Sequence, residues 1–179
     1  MRYTPNELIA MGYQARREGR LIDALQSFQE AVALCREADD RSLLASSLAG
    51  LGQIERDLKN NLAAILHYKE AVELCRHAAD PLRLAHTIRH LADILREEGS
   101  IEKARPLYEE VLEIYRRHQK TRTLDLANAI RGFALLQAAA GEKEQAMHLW
   151  QEARTLYESL NVQPGVQESE AQIARLTAA

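Results

Sequence analysis

The chain has 179 residues, of which 46% are hydrophobic and 5% aromatic, and its formal net charge is −3. With 23 basic against 26 acidic side chains, no strong field predicts binding to nucleic acid or to an anionic membrane. Helix-favouring Leu, Ala, Glu, Arg and Gln dominate, and only 8 Gly and 4 Pro interrupt them, so the chain is predicted to be all-α.

The first ten residues do not resemble a signal peptide, because Arg2 and Glu7 are followed by no apolar core. No run approaches the ~18 apolar residues that a membrane-spanning helix needs. A cytoplasmic location is therefore expected. Cys35 and Cys75 stand at equivalent places of two successive repeats. Packed helices lie ~8–10 Å apart and a disulfide needs Cα atoms within about 7 Å, so buried, reduced thiols are predicted.

The first helix is predicted to begin with a capping box, in which Thr4 is the N-cap, Pro5 the first helical residue and Glu7 the reciprocal partner. It ends near Gly19. Its predicted buried face carries Leu8, Met11, Gly12 and Ala15. The second helix ends near Glu37, and its predicted buried face carries Ala24, Phe28, Ala31 and Val32.

This pair of helices recurs at a regular interval along the chain, most clearly between Leu84 and Tyr115, where Gly99-Ser100 separates the two helices. The second helices share a small residue followed four positions later by an aromatic residue: Ala24 and Phe28, Ala64 and Tyr68, Ala104 and Tyr108, Ala146 and Trp150. The first helices share a small residue: Gly12, Gly52, Ala92 and Ala134. One hairpin cannot bury its own faces, so stacked repeats are predicted.

Other helix boundaries follow from capping residues. Asp40, Asp80 before Pro81, and Thr123 are predicted N-caps of the later first helices. Pro106 lies slightly deeper than the first turn of a second helix, where it is expected to cost one backbone hydrogen bond or to kink the helix mildly. Gln163-Pro164-Gly165 is predicted to break the chain before a capping helix over residues 166–177. One domain, 1–179, is expected, with repeats at 4–40, 41–80, 81–120 and 121–162.

The small and aromatic positions, together with Met11-Gly12 and Leu51-Gly52 in the first helices, resemble the tetratricopeptide repeat. The resemblance covers nearly the whole chain. It implies an all-α fold, a right-handed α-solenoid of antiparallel helix hairpins, with four repeats and a C-terminal capping helix. The long period of the repeat and the stretch from Ala104 to Tyr115 are similar to the kinesin-light-chain-like branch of this family.

In that branch, an adjacent Asn pair on the first helix typically grips the backbone of a bound peptide. The matching places here hold Ile9-Ala10, Ala49-Gly50, Arg89-His90 and Arg131-Gly132. The resemblance also implies that first helices line a concave groove. The candidate ligand-groove residues on these helices are Asn6, Tyr13, Arg16, Gln53, Arg56, His86, Arg89, His90, Asp93, Arg96, Asn128 and Arg131.

Arginine dominates this set, and its planar fork suits carboxylates. Arg16, Arg56 and Arg96 occupy the same place in three successive repeats, which predicts a ladder along the groove that favours an acidic segment or a C-terminal carboxylate. The alternative is that neighbouring carboxylates neutralise the arginines, for example Glu97 beside Arg96. Arg36, Arg76 and Arg116 near the ends of second helices are expected to be structural.

His86 and His90 have the spacing of a zinc-binding helix, but the intervening residues lack the Glu of that motif and include Arg89, so no metal is predicted. Titration of this pair between pH 5 and 8 is an alternative role. Because the sequence has no phosphate-binding loop or nucleophile-and-base motif, neither a cofactor nor enzymatic activity is predicted.

The resemblance therefore implies a non-enzymatic scaffold or adaptor that binds a peptide or helical segment in its concave groove. One alternative is a peptide-responsive sensor module. Another is a homo-oligomeric structural scaffold, in which the outer face of the first hairpin mediates dimerisation. The expected partner is a protein or peptide, not nucleic acid or membrane, and the chain is expected to be a monomer or a homodimer.

Overall fold

A computed structural model describes residues 3–178 of the chain. Within this range the secondary structure consists of nine α-helices and no strands. Their bounds are α1 Pro5–Arg17, α2 Leu21–Glu37, α3 Arg41–Asp57, α4 Asn61–Arg76, α5 Pro81–Glu97, α6 Ile101–Arg117, α7 Thr123–Ala139, α8 Lys143–Ser159 and α9 Gln163–Ala178.

Three of the predicted helix starts are confirmed. The backbone N–H and the hydroxyl of Thr4 both donate to Glu7 Oε2 at 2.8 Å, and the Glu7 N–H donates back to Thr4 Oγ1 at 3.3 Å, which forms the capping box. Asp40 accepts from the backbone N–H of Leu43 at the start of α3. Asp80 accepts from the N–H of Arg83 at the start of α5. These carboxylates and hydroxyls satisfy N–H groups that a helix leaves unpaired at its first turn.

Two predicted boundaries are wrong. The N-cap of α7 is Arg122, whose backbone is extended, while Thr123 is already helical. Gln163-Pro164-Gly165 does not break the chain, because α9 begins at Gln163. A proline in the first turn costs no helical hydrogen bond. A Cβ at Gly165 would lie 2.5 Å from the Tyr157 ring, so this glycine allows close helix packing and does not end a helix.

The helices are grouped into two compact units, and the division falls within α5. Unit 1 (Met1–Ile94) contains the hairpins α1/α2 and α3/α4, followed by most of α5. Unit 2 (Leu95–Ala179) contains α6, the hairpin α7/α8, and α9. Each unit has its own packed interior.

The predicted packing positions of the second helices are confirmed as core. The small residue and the following aromatic residue are at most 1% exposed in all four copies. In unit 1 the ring of Phe28 lies against Gly12 of α1 and Gly50 of α3, where no side chain separates the helices. The ring of Tyr68 lies against Gly52 in the same way. The small residues therefore allow the helices to approach an aromatic ring at van der Waals distance.

Met11 is not a core residue, contrary to the prediction, because 40% of it is exposed. The equivalent residue of the next hairpin, Leu51, is 4% exposed and belongs to a core that includes Phe28 and Val32 of α2. A second helix from the hairpin before therefore covers this position in the second repeat. Nothing in the described residues covers Met11 in this way.

Both cysteines are free and buried, as predicted. The Sγ atom of Cys35 lies 3.8 Å from Ser47 Oγ, and the Sγ atom of Cys75 lies 3.9 Å from Thr87 Oγ1. Burial raises the pKa of both thiols. They therefore remain protonated and unreactive near neutral pH.

Candidate functional site

Polar side chains from four helices of unit 1 meet around Tyr68 and His90. We call this group the unit 1 polar cluster; it consists of Tyr13, Arg16, Arg56, Asp57, Tyr68, His86, Arg89, His90 and Asp93. Seven of these residues were predicted as groove residues. The cluster exists because equivalent first-helix positions of successive repeats are adjacent on neighbouring helices.

The α1 and α3 sides of the cluster are joined by an ion pair. Arg16 Nε donates to Asp57 Oδ2 at 2.6 Å, and Arg16 Nη2 lies 3.4 Å from Oδ1. Both side chains remain about one-third exposed. Tyr13 lies beside them, and its ring is nearly perpendicular to that of Phe28, at a centroid distance of 5.1 Å. Arg16 is therefore positioned by Asp57 and still faces solvent.

The α5 side is less exposed. Arg89 Nη1 donates to Asp93 Oδ2 at 2.9 Å, and the two side chains are only 13% and 11% exposed. Arg89 Nη2 also lies 3.0 Å from His90 Nε2, which in turn lies 3.2 Å from His86 Nε2. Arg89 is thus held by two neighbours on its own helix.

His90 is neutral in this environment. Burial lowers its pKa well below 6.5, and the nearby charge of Arg89 lowers it further. The alternative role of the histidine pair, titration between pH 5 and 8, is therefore not supported for His90. Since a guanidinium can only donate, His90 Nε2 accepts from Arg89, and the ring proton is on Nδ1.

This arrangement leaves two buried donors without an acceptor. Neither His90 Nδ1 nor Arg89 Nε has a hydrogen-bond partner in the described structure, and both atoms are inaccessible to solvent. An unsatisfied buried N–H group is costly, so such groups call for an explanation.

Tyr68 was predicted only as a packing residue, yet it belongs to the cluster. Its ring stacks on His90 with a centroid distance of 5.6 Å and an interplanar angle of 15°. Burial raises the pKa of its hydroxyl, while Arg56, Arg89 and Arg16 act to lower it. The only signal in the sequence was the change from Phe28 to a tyrosine at the equivalent position.

The repeat register explains why the cluster is specific to α5. His90 occupies the place that Gly50 holds in α3 and Gly132 holds in α7. Where Gly50 leaves room for the ring of Phe28, His90 instead provides a flat surface on which Tyr68 stacks. A packing position has thus acquired polar atoms in one repeat.

The predicted groove residues of unit 2 make other contacts. Arg96 donates to the hydroxyl of Tyr108 at 3.3 Å and pairs with Glu97, as the neutralised alternative expected. Arg131 makes two 2.6 Å hydrogen bonds to Glu168 of α9. Asn128 Oδ1 accepts from the hydroxyl of Tyr157 at 2.8 Å. Arg131 and Asn128 therefore join α7 to the last two helices.

The remaining predicted residues lie outside these contacts. Asn6 is exposed in the first turn of α1, and Gln53 is half-buried on α3. Across residues 3–178, no group of three or more His, Cys, Asp or Glu side chains could hold a metal ion. No helix in the same range has both the length and the apolar character needed to cross a membrane.

A family profile for the tetratricopeptide repeat matches residues 6–77 and 83–159. The chain belongs to the tetratricopeptide repeat family. The matched ranges contain all the predicted groove residues and the whole unit 1 polar cluster. No curated protein sequence matches this chain.

Solved structures of kinesin-light-chain-like proteins have the same fold. BtubC (BKLC) from P. vanneervenii is 19% identical, with a TM-score of 0.79 over 89% of this chain and 67% of that protein. Two crystal structures of a Podosopora anserina kinesin-light-chain-like protein with nearly identical TPR-like repeats also match. One is 14% identical, with a TM-score of 0.80 over 98% of this chain and 87% of the other. The second is 13% identical, with a TM-score of 0.74 and coverages of 99% and 98%.

These comparisons confirm the predicted fold class, an all-α helical-repeat solenoid, and the resemblance to kinesin-light-chain-like repeats at the level of the fold. Tetratricopeptide repeats generally mediate interactions between proteins, and their proteins are generally non-enzymatic scaffolds. The choice of ligand depends on the side chains that each member displays.

Proposed function

We propose that this chain is a non-enzymatic scaffold that binds an acidic peptide or helical segment at the unit 1 polar cluster. The observation that carries the proposal is the guanidinium of Arg16, whose N–H donors are oriented by Asp57 at 2.6 Å while about one-third of the side chain remains exposed. A ligand carboxylate can supply acceptor oxygens to such donors with charge-assisted hydrogen bonds. The free cysteines accord with a reducing cytoplasm, where we place the protein.

The charge of the cluster supports an anionic ligand. Arg16, Arg56 and Arg89 carry three positive charges, whereas Asp57 and Asp93 carry two negative charges. With His90 neutral, the cluster retains a positive excess. Since these side chains are partly desolvated, a carboxylate is attracted there more strongly than at an exposed arginine.

The internal ion pairs determine how such a ligand is bound. Arg16 and Arg89 are already oriented by Asp57 and Asp93, so little side-chain entropy is lost when a ligand carboxylate arrives. The same aspartates compete with that carboxylate for the guanidinium donors. We therefore infer moderate affinity with strong dependence on salt.

Matched peptides and paired substitutions test this proposal. The probes are synthetic peptides of one sequence with either Glu or Gln at the same positions, each with a free or amidated C-terminus. We expect the Glu peptide to bind more tightly than the Gln peptide. Arg16→Gln should weaken its binding about 5- to 10-fold, and Asp57→Asn should strengthen it, because a competing carboxylate is removed. Fluorescence anisotropy measures both changes.

Arg117→Gln is the matched control, because Arg117 is 76% exposed on α6 and lies outside the cluster. It should leave the affinity unchanged. Equal binding of the Glu and Gln peptides would refute the acidic preference. Parallel losses for Arg16→Gln and Asp57→Asn would show that the ion pair has only a structural role.

A further inference from the structure

The outer side of the first hairpin carries an open cavity that is independent of the unit 1 polar cluster. It lies between α1 and α2 and has a volume of about 720 Å³. Its lining includes Tyr3, Leu8, Met11, Gln14 and Glu30. Tyr3 and Met11 are 50% and 40% exposed, so large apolar side chains face solvent there. We call this surface the α1/α2 face.

The repeat register identifies what kind of surface this is. Leu51 is the counterpart of Met11 in the second hairpin and Phe133 is its counterpart in the fourth, and both are buried. In unit 1, Leu48 and Leu51 of α3 pack into one core with Phe28, Val32 and Cys35 of α2. The α1/α2 face thus corresponds to a surface that receives a neighbouring second helix elsewhere in the same chain.

A charge pair marks the same interface in both units. Arg36 Nη2 donates to both carboxylate oxygens of Glu70, at 2.8 and 2.9 Å. Arg116 Nη2 makes the same contact with Glu152, at 3.0 and 2.8 Å. In each case an arginine at the end of one second helix reaches a glutamate on the next second helix of that unit. Glu30 is the exposed counterpart of these glutamates on the α1/α2 face.

We propose that the α1/α2 face binds a helix of a different protein, and that this helix has an aliphatic face and an arginine near its C-terminal end. The aliphatic residues would cover Met11 and the cavity beside Leu8. The arginine would pair with Glu30 as Arg36 pairs with Glu70. The helix of the other protein would thus repeat the packing that is already present between neighbouring hairpins.

A second copy of this chain is a poorer fit. In the fourth repeat, the second helix is α8. It carries Glu158 at the position that Arg36 occupies in α2 and Arg116 occupies in α6. Stacking of α8 from another copy on the α1/α2 face would bring Glu158 towards Glu30, and like charges repel. Gln14 stands where the second hairpin has buried Ile54, which keeps the open face partly polar.

The chain itself supplies a probe for this surface. A synthetic peptide of residues 21–37, acetylated and amidated, presents the α2 face that packs against the second hairpin and ends with Arg36 and Glu37. We expect it to bind the full chain and to shift the methyl NMR signal of Met11. Glu30→Arg should weaken binding about 5- to 10-fold. The Arg36→Glu peptide should bind the Glu30→Arg chain about as well as the original pair.

The controls distinguish the other outcomes. Glu37→Arg in the chain makes the same charge change on α2 outside the cavity lining, and it should not alter binding. A peptide that instead displaces the chain's own α2 would respond to Glu70→Arg and not to Glu30→Arg. That result would overturn the proposal. An unshifted Met11 methyl signal would also overturn it, as would the absence of binding at millimolar peptide. So would a concentration-dependent dimer that Glu30→Arg abolishes, because the occupant would then be a second copy.

Discussion

At the residue scale, His90 shows how a residue difference between repeats adds polar groups without changing the fold. Its counterparts Gly50 and Gly132 have no side chain, while His90 adds a ring that stacks on Tyr68 and accepts a hydrogen bond from Arg89. The ring nitrogen that remains, Nδ1, has no acceptor in the described structure. A position that serves packing in other repeats therefore carries polar atoms in this one.

The lowered pKa of His90 predicts that acid destabilises the protein. The folded state disfavours the imidazolium, so below pH 6.5 the unfolded state binds more protons and the free energy of unfolding falls. For one proton this loss is at most about 1.4 kcal/mol per pH unit. Urea unfolding between pH 7.5 and 5 measures it, and His90→Gln should make the profile shallower.

A second histidine serves as an internal comparison for that experiment. Burial also lowers the pKa of His67, so it contributes a loss of the same sign in the same pH range. His67→Gln should therefore remove a separate part of the slope. If His90→Gln left the pH profile unchanged, His90 would not be held neutral by the fold.

At the scale of single elements, α6 contains a proline that weakens the helix. Pro106 is the sixth residue of α6, beyond the first turn in which a proline costs nothing. It cannot donate to the carbonyl of Glu102, four residues earlier. The helix persists because Ala104, Tyr108 and Val111 are completely buried, and burial of apolar surface offsets one missing hydrogen bond.

Pro106→Ala should stabilise the protein. Alanine restores the donor to the carbonyl of Glu102 and has the higher helix propensity, so we expect a gain of about 1–3 kcal/mol in the free energy of unfolding. Glu102→Ala on the same helix is the control and should change stability by less than about 0.5 kcal/mol. Chemical denaturation measures both variants, and an unchanged or lower midpoint for Pro106→Ala would contradict the prediction.

At the scale of the whole molecule, stability is expected to be distributed along the chain. In repeat proteins it is approximately a sum over repeats and their nearest-neighbour interfaces. The structure is consistent with this, since each of its two units has its own core. A destabilising substitution in one repeat should therefore lower the stability mainly of that repeat and of the repeats next to it in sequence.

Gly50→Ala tests this distribution. A methyl group at Gly50 would overlap the ring of Phe28, which is completely buried. Overpacking costs about 1–3 kcal/mol and outweighs the helix propensity that alanine gains, so a net loss is expected. Hydrogen exchange should rise in α1 to α4 more than in α7 to α9.

The double variant Phe28→Leu with Gly50→Ala separates a steric clash from a backbone effect. Because leucine is smaller, the double variant should recover part of the protection lost in Gly50→Ala alone. An equal rise of exchange in all helices after Gly50→Ala would mean that the chain unfolds as one cooperative block. Such a result would contradict the nearest-neighbour description.

The sequence alone was sufficient to predict the helices, their repeat and the packing positions. These depend on periodicity, on small residues that admit an aromatic ring, and on local capping, all of which act within a few residues of the chain. Where local reasoning failed, a neighbour in space was responsible. The local sequence predicts a helix break at Gly165, but this glycine packs against Tyr157. Helical periodicity predicts Met11 as core, but no helix among the described residues covers it.

Only the tertiary structure decided the partners of the polar groups. Arg16 pairs with Asp57 and Arg131 pairs with Glu168, which are 41 and 37 residues away. Composition cannot select among many possible charge pairs, because each contributes little energy and depends on exact distance and burial. The sequence thus determined the α1/α2 hairpin and the other repeats as a scaffold, and the folded chain determined which donors, such as Arg89 Nε, remain without an acceptor.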